Sequence, residues 1–110
     1  MKECSCMQIK LLNEIEKQKV SNLFKVIADP TRIDILYTLK DSRLSVSEIK
    51  DKLNMSQSAI SHQLRVLKDV NLVKDERVGK NIFYSLSDNH VYDIFNQAID
   101  HVREEECNHE

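Results

Sequence analysis

Residues 46–70, VSEIKDKLNMSQSAISHQLRVLKDV, constrain this chain more than any other stretch. A short amphipathic run places Val46, Ile49 and Leu53 on one side, with Ser45 or Ser47 as the residue that begins it. It stops at Asn54-Met55-Ser56, a tight break, and a second helix starts with Ser56 as N-cap. In that second helix Ile60, Leu64 and Leu67 recur at i, i+4 and i+7 and form a buried stripe. Two short helices joined by a tight turn can bury those stripes only against one another and a common core. The polar side of the second helix is thereby turned outward.

That outward side holds Gln57, Ser58, Ser61, His62 and Arg65. A scaffold helix, a turn and a second helix with a polar outer face are the parts of a helix-turn-helix, whose second helix enters the DNA major groove. Arg suits guanine and Gln suits adenine, and a helix N-terminus meets phosphates favourably. After it, LVKDERV and NIFYSLS alternate around Gly79-Lys80 and read as a β-hairpin. Lys74, Arg77 and Lys80 on or beside that wing are expected to hold the flanking DNA backbone.

Before this unit, residues 8–18 place Ile9, Leu12 and Ile15 at helical spacing, and VSNLFKVIA repeats the pattern. Asp29-Pro30 is a strong helix start, and PTRIDILYTLKD is expected to bury Ile33, Leu36, Tyr37 and Leu39. A final helix is expected from about residue 88 to about 105. The order is helix, helix, helix, short helix, helix, hairpin, helix. This is a mainly α protein with a small β-hairpin, a winged helix-turn-helix with extra helices at both ends. Residues 1–110 are read as one domain, with the helix-turn-helix at about 46–70, the wing at about 72–86 and flexible ends at 1–7 and 106–110.

The last helix carries two halves of a metal site: Asp88-x-His90 near its start and His101-x-x-Glu104 near its end. His90 and His101 are eleven residues apart, which at ~100° per residue returns them to nearly one face. Their axial separation is ~16 Å, whereas zinc needs ligand atoms at about 2 Å. One helix cannot close such a site. Two antiparallel copies can, with Asp88 and His90 of one chain against His101 and Glu104 of the other, as a symmetric dimer with two equivalent sites. Residues i and i+2 do not share a helix face, so Asp88 must sit in the cap region. Two imidazoles and two carboxylates suit tetrahedral Zn(II), with Co(II) as a substitute, and suit Cd(II), Pb(II) or As(III) poorly.

The net charge of −2 carries no global sign of nucleic-acid binding, but its distribution does. Residues 56–80 carry a local +2 and residues 100–110 a local −4, a basic middle for phosphate and an acidic end for cations. No run approaches the ~20 apolar residues of a membrane span, and MKECSCMQIK has no signal-peptide core, so the expected location is the cytoplasm. Three cysteines, Cys4, Cys6 and Cys107, stand only at the ends. With His109 they form a candidate second metal or thiol site for Zn(II), Cd(II) or Cu(I).

The segments ADPTRIDILYTL, LSVSEIKDKLNMSQSAISHQLRVLKDVNLV, VGKNIFYSL and DNHVYDIFNQAIDH, in this order, resemble the ArsR/SmtB family of metal-sensing repressors. The resemblance spans residues ~20 to ~104, with SxSxxSHQLxxLK and GKxxxYSL as its most specific pieces. It implies a homodimer, joined through the N- and C-terminal helices, that binds an inverted-repeat operator when metal-free. Metal binding then releases it and switches on an efflux or sequestration gene. The branch that senses soft metals uses a cysteine pair where this chain has Ser45 and Ser47, so that site is absent. The zinc branch uses the set present here as Asp88, His90, His101 and Glu104. Its likeness also suggests that His101 couples to a backbone carbonyl near Asn71.

The expected partners are operator DNA and a second copy, with no membrane and no small-molecule substrate. The alternative is a thiol redox, persulfide or soft-metal sensor using Cys4, Cys6 and Cys107 on the same scaffold. Enzymatic activity is not expected: no nucleophile is placed with a base, and the single glycine sits in the wing turn.

Overall fold

The computed structural model describes residues 11–108, and side chains up to residue 105. The described chain runs α1 (Glu14–Ile27), α2 (Pro30–Thr38), β1 (Leu44–Ser45), α3 (Val46–Leu53), α4 (Gln57–Asp69), β2 (Val73–Val78), β3 (Asn81–Leu86) and α5 (Asn89–Asn108). This is the expected winged helix-turn-helix with flanking helices.

Local chemistry sets the helix ends. Asn13 begins α1: its side chain accepts from the Glu16 N–H at 2.7 Å, and the Glu16 carboxylate accepts from the Asn13 N–H at 3.0 Å. The two helical runs expected before Asp29 are one helix over the described residues, because no Gly or Pro interrupts KQKVS. Asp29 caps α2, with Pro30 at its first position. Ser45 rather than Ser47 caps α3, completing a capping box with Glu48. Asn54 ends α3 in the left-handed region at φ 56°, a conformation Asn tolerates better than most residues, and Ser56 then caps α4.

One core joins these elements. Ile35 and Leu36 of α2, Leu39 at its C-cap, Ile49 of α3, and Ile60, Leu64 and Leu67 of α4 meet Leu72, Val73, Val91 and Phe95. The sheet is antiparallel in the order β1-β3-β2, with Leu44 opposite Tyr84 and Val78 opposite Asn81. The short strand β1 was not expected; at two residues it is too brief to show alternation. Gly79 turns the ribbon at φ 64°, where a side chain would be strained.

Two residues of α2 depart from expectation. Ile33 and Tyr37 are 39% and 43% exposed, and Ile35 takes the buried place instead. The side of α2 that enters the core carries Ile35 and Leu36, continued by Leu39 at the cap. Tyr37 turns toward α5, where its ring lies 6.3 Å from that of Phe95. No helix among the described residues is long and apolar enough to cross a membrane.

Leu64 is 1% exposed at the centre of the α3–α4 packing. Leu64→Ala is expected to lower the unfolding free energy by about 2–5 kcal/mol, read from urea denaturation.

Candidate DNA interface and metal half-sites

The buried stripe of α4 orients its other face. With Ile60, Leu64 and Leu67 inside, Gln57, Ser58, Ser61, His62 and Arg65 are all exposed. Gln63 lies on the border of the two faces, and its side-chain oxygen accepts from Arg32 Nε at 2.8 Å. Arg32 Nη1 also donates to the Val26 carbonyl at 3.2 Å, so one guanidinium ties α4 to α2 and the end of α1. Sequence reasoning missed this brace. Its signal was a long polar side chain at the edge of a buried stripe, too common to single out.

Lys74, Arg77 and Lys80 are exposed along β2 and its turn. Because side chains alternate along a strand, Lys74 and Arg77 stand on opposite faces of the ribbon. Between α4 and the ribbon runs an open crevice of about 620 Å³, with Ser61, Arg65 and Lys68 on one wall and Asp75 and Tyr84 on the other. Lys68 Nζ donates to Asp75 Oδ2 at 2.8 Å across it. This contact holds the Asp75 carboxyl below the usual carboxylate range and pushes the Lys68 ammonium up.

At the start of α5, Asp88 Oδ1 accepts from the Val91 N–H at 3.0 Å and the Asp88 carbonyl from the Tyr92 N–H at 3.3 Å. Asp88 is therefore the helix cap. The Val91 N–H holds its carboxyl below the usual range, with a smaller contribution from His90. Its second oxygen stands 3.7 Å from His90 Nδ1. His101 and Glu104 are exposed three turns further on. Among the described residues of one chain, no three His, Cys, Asp or Glu side chains are gathered as a metal-holding group. The structure thus brings Asp88 to His90 but not to His101 or Glu104. Cys4, Cys6, His109 and the side chain of Cys107 lie outside the described residues.

The Asp88–His90 end backs onto the end of α4. Asn71, at φ 62°, follows α4, and the Leu72 carbonyl accepts from the Ser87 N–H at 3.1 Å. Val70, Asn71 and Leu72 line a cavity of about 180 Å³ together with Asp88, His90 and Ile94.

Asp88→Ala is expected to lower the thermal midpoint of the metal-free protein more than Asp88→Asn, since Asn also caps a helix. Because the folded-state pKa of Asp88 is depressed, its contribution is present above the ordinary carboxylate value and is lost as pH falls through the folded value. Thermal unfolding followed by circular dichroism between pH 7 and pH 2 tests both statements.

Residues 29–75 match the family model described as bacterial regulatory protein, arsR family. A transcriptional repressor SmtB homolog of Synechocystis sp. is 37% identical over 98 residues, covering 89% of this chain and 74% of that one. The HTH-type transcriptional regulator NmtR of Mycobacterium tuberculosis is 41% identical over 83 residues, covering 76% and 69%. The structure of HlyU from Vibrio cholerae superposes with a TM-score of 0.72 at 34% identity, covering 78% of this chain and 94% of that one. The outward face of α4, the wing beside it and these likenesses agree: the chain belongs to the ArsR family of bacterial regulatory proteins, as a DNA-binding regulator of transcription and not an enzyme.

Proposed function

We propose that this protein is a metal-responsive transcriptional repressor. As a metal-free homodimer it holds an operator, and it releases the operator when Zn(II) occupies the two sites between its α5 helices. The observation that carries the reading is the split donor set of α5. Asp88 and His90 sit together at one end, and His101 and Glu104 are presented to solvent three turns away. A set divided in this way closes only against a second copy. Asp88 and His90 of one chain then meet His101 and Glu104 of the partner subunit, a nitrogen and oxygen set suited to Zn(II) and to Co(II). The relative named a transcriptional repressor SmtB homolog supports repression as the role.

The surface supports the dimer. Ile15 and Phe24 of α1 are 68% and 52% exposed, and Val102 of α5 is 53% exposed. Ile27, Ile33, Phe95, Ile99 and Val102 line a largely apolar groove of about 360 Å³. Apolar surface of this kind on both terminal helices favours a second copy as its cover. The same pairing would set His101 of the partner subunit beside Asn71 and Leu72, at the end of the DNA-reading helix. Through that contact the half-sites bias the angle and spacing of the two α4 helices. Gln57, Ser58, Ser61, His62 and Arg65 read the operator, and Lys74, Arg77 and Lys80 hold its backbone. The site of action is the cytoplasm, where operator DNA lies.

Fluorescence anisotropy with duplex DNA from upstream of the protein's own gene tests the reading. Tight binding in chelator that stoichiometric Zn(II) weakens by tenfold or more, over ~1.4 kcal/mol of coupling, is the expected result. Binding indifferent to zinc would sink the metal switch. Coupling is reciprocal, so the DNA must weaken zinc binding by the same factor. His101→Ala is expected to keep operator binding and lose release. Arg65→Ala is expected to cost about 1–3 kcal/mol of operator affinity with zinc binding unchanged.

A further inference from the structure

At its base the wing ribbon is anchored by buried Val73, by Tyr84 and Leu86 packed against the core, and by the pairing of β3 with β1; along the outer part of β2 it has little apolar burial. In β2 only Val73 is buried, and Lys74 through Val78 are exposed. Val78 and Ile82, nearer the tip, are 42% and 36% exposed. While β3 is held by its ladder with β1, the middle of β2 is tied to the body by two ion pairs, and they come from two adjacent residues. Asp75 and Glu76 are consecutive on β2, so their side chains leave on opposite faces.

On one face Asp75 receives Lys68 of α4 at 2.8 Å, opposite Tyr84 in the strand register. On the other, Glu76 Oε1 receives Arg43 Nη1 at 2.6 Å, opposite Phe83. The Arg43 guanidinium also lies 5.2 Å over the Phe83 ring, so it grips both strands at once. Arg43 belongs to the turn before β1, and Lys68 to the last turn of the DNA-reading helix. The two pairs therefore hold the ribbon from both sides at one level.

We propose that Asp75 and Glu76, with Lys68 and Arg43, are positioning residues that fix the wing relative to α4 and so set how Arg77 and Lys80 meet the operator backbone. The proposal rests on the DNA-binding reading above but not on the metal switch. It makes an unusual demand of two acidic residues near DNA. Removing negative charge beside phosphate tightens binding by Coulomb attraction alone, whereas loosening the wing weakens it. The sign of the change separates the two.

The test is the double variant Asp75→Asn with Glu76→Gln, nearly unchanged in shape. Its anisotropy titration with duplex DNA from upstream of the gene is expected to show about fivefold weaker binding than the unaltered protein. In the DNA-free protein, hydrogen exchange of wing amides 76–83 is expected to accelerate severalfold while amides of α4 keep their protection. The swapped pair Lys68→Glu with Asp75→Lys is expected to restore wing protection that Lys68→Glu alone removes. Unchanged or tighter DNA binding by the double variant would overturn the proposal, as would unchanged wing exchange or absence of rescue. If the unaltered protein bound no such DNA, the repressor reading would fall, and the exchange experiment, which needs no DNA, would still decide whether the clamp exists.

Discussion

The packing of α3 against α4, through Ile49, Ile60, Leu64 and Leu67, decides what every other part of the molecule presents. These side chains are almost wholly buried, and a helix rotated about its axis would expose them at a cost of about 1.5–3 kcal/mol each. The rotation of α4 is thereby set, and Gln57, Ser61 and Arg65 have only one direction in which to point. Arg32, donating to Gln63 and to the end of α1, adds a polar lock to that apolar one.

From the far end of α4 the same rigidity extends to the Asp88–His90 pair at the start of α5. Asn71 turns the chain with a positive φ, Leu72 enters the core, and its carbonyl is bound by Ser87, the residue before Asp88. The cap of α5 and the end of the reading helix are thus joined by backbone hydrogen bonds within one chain. A shift imposed on α5 by a neighbouring copy has a short, stiff path to α4. The wing is anchored through β3, by its ladder with β1 and by Tyr84 and Leu86 against the core, whereas β2 beyond Val73 is exposed and its side-chain contacts there are ion pairs that salt can screen.

Much of this was legible in the chain itself. The stripe 60, 64 and 67, the break at Asn54–Ser56 and the start at Asp29-Pro30 each state a local rule, and the structure obeys each. Asp88 was legible as a cap because two residues of spacing forbid a shared helix face with His90. Ile33 and Tyr37 were misread because an apolar residue on a short helix has two sides to choose from, and periodicity over nine residues does not choose. The braces Arg32–Gln63, Lys68–Asp75 and Arg43–Glu76 were invisible, since charged residues far apart in sequence carry no pattern that pairs them.

Local pattern was enough to read the elements, the face of α4 turned to solvent and the separation of Asp88 and His90 from His101 and Glu104 along α5. Those follow from helical and strand periods and from capping chemistry, which act over a few residues. The folded chain was needed to see that the end of α4 backs onto the Asp88–His90 pair, that β2 carries an ion pair on each face, and that apolar side chains of α1 and α5 stay uncovered in one chain. Contacts between distant segments depend on how whole elements dock, and no local pattern encodes that geometry.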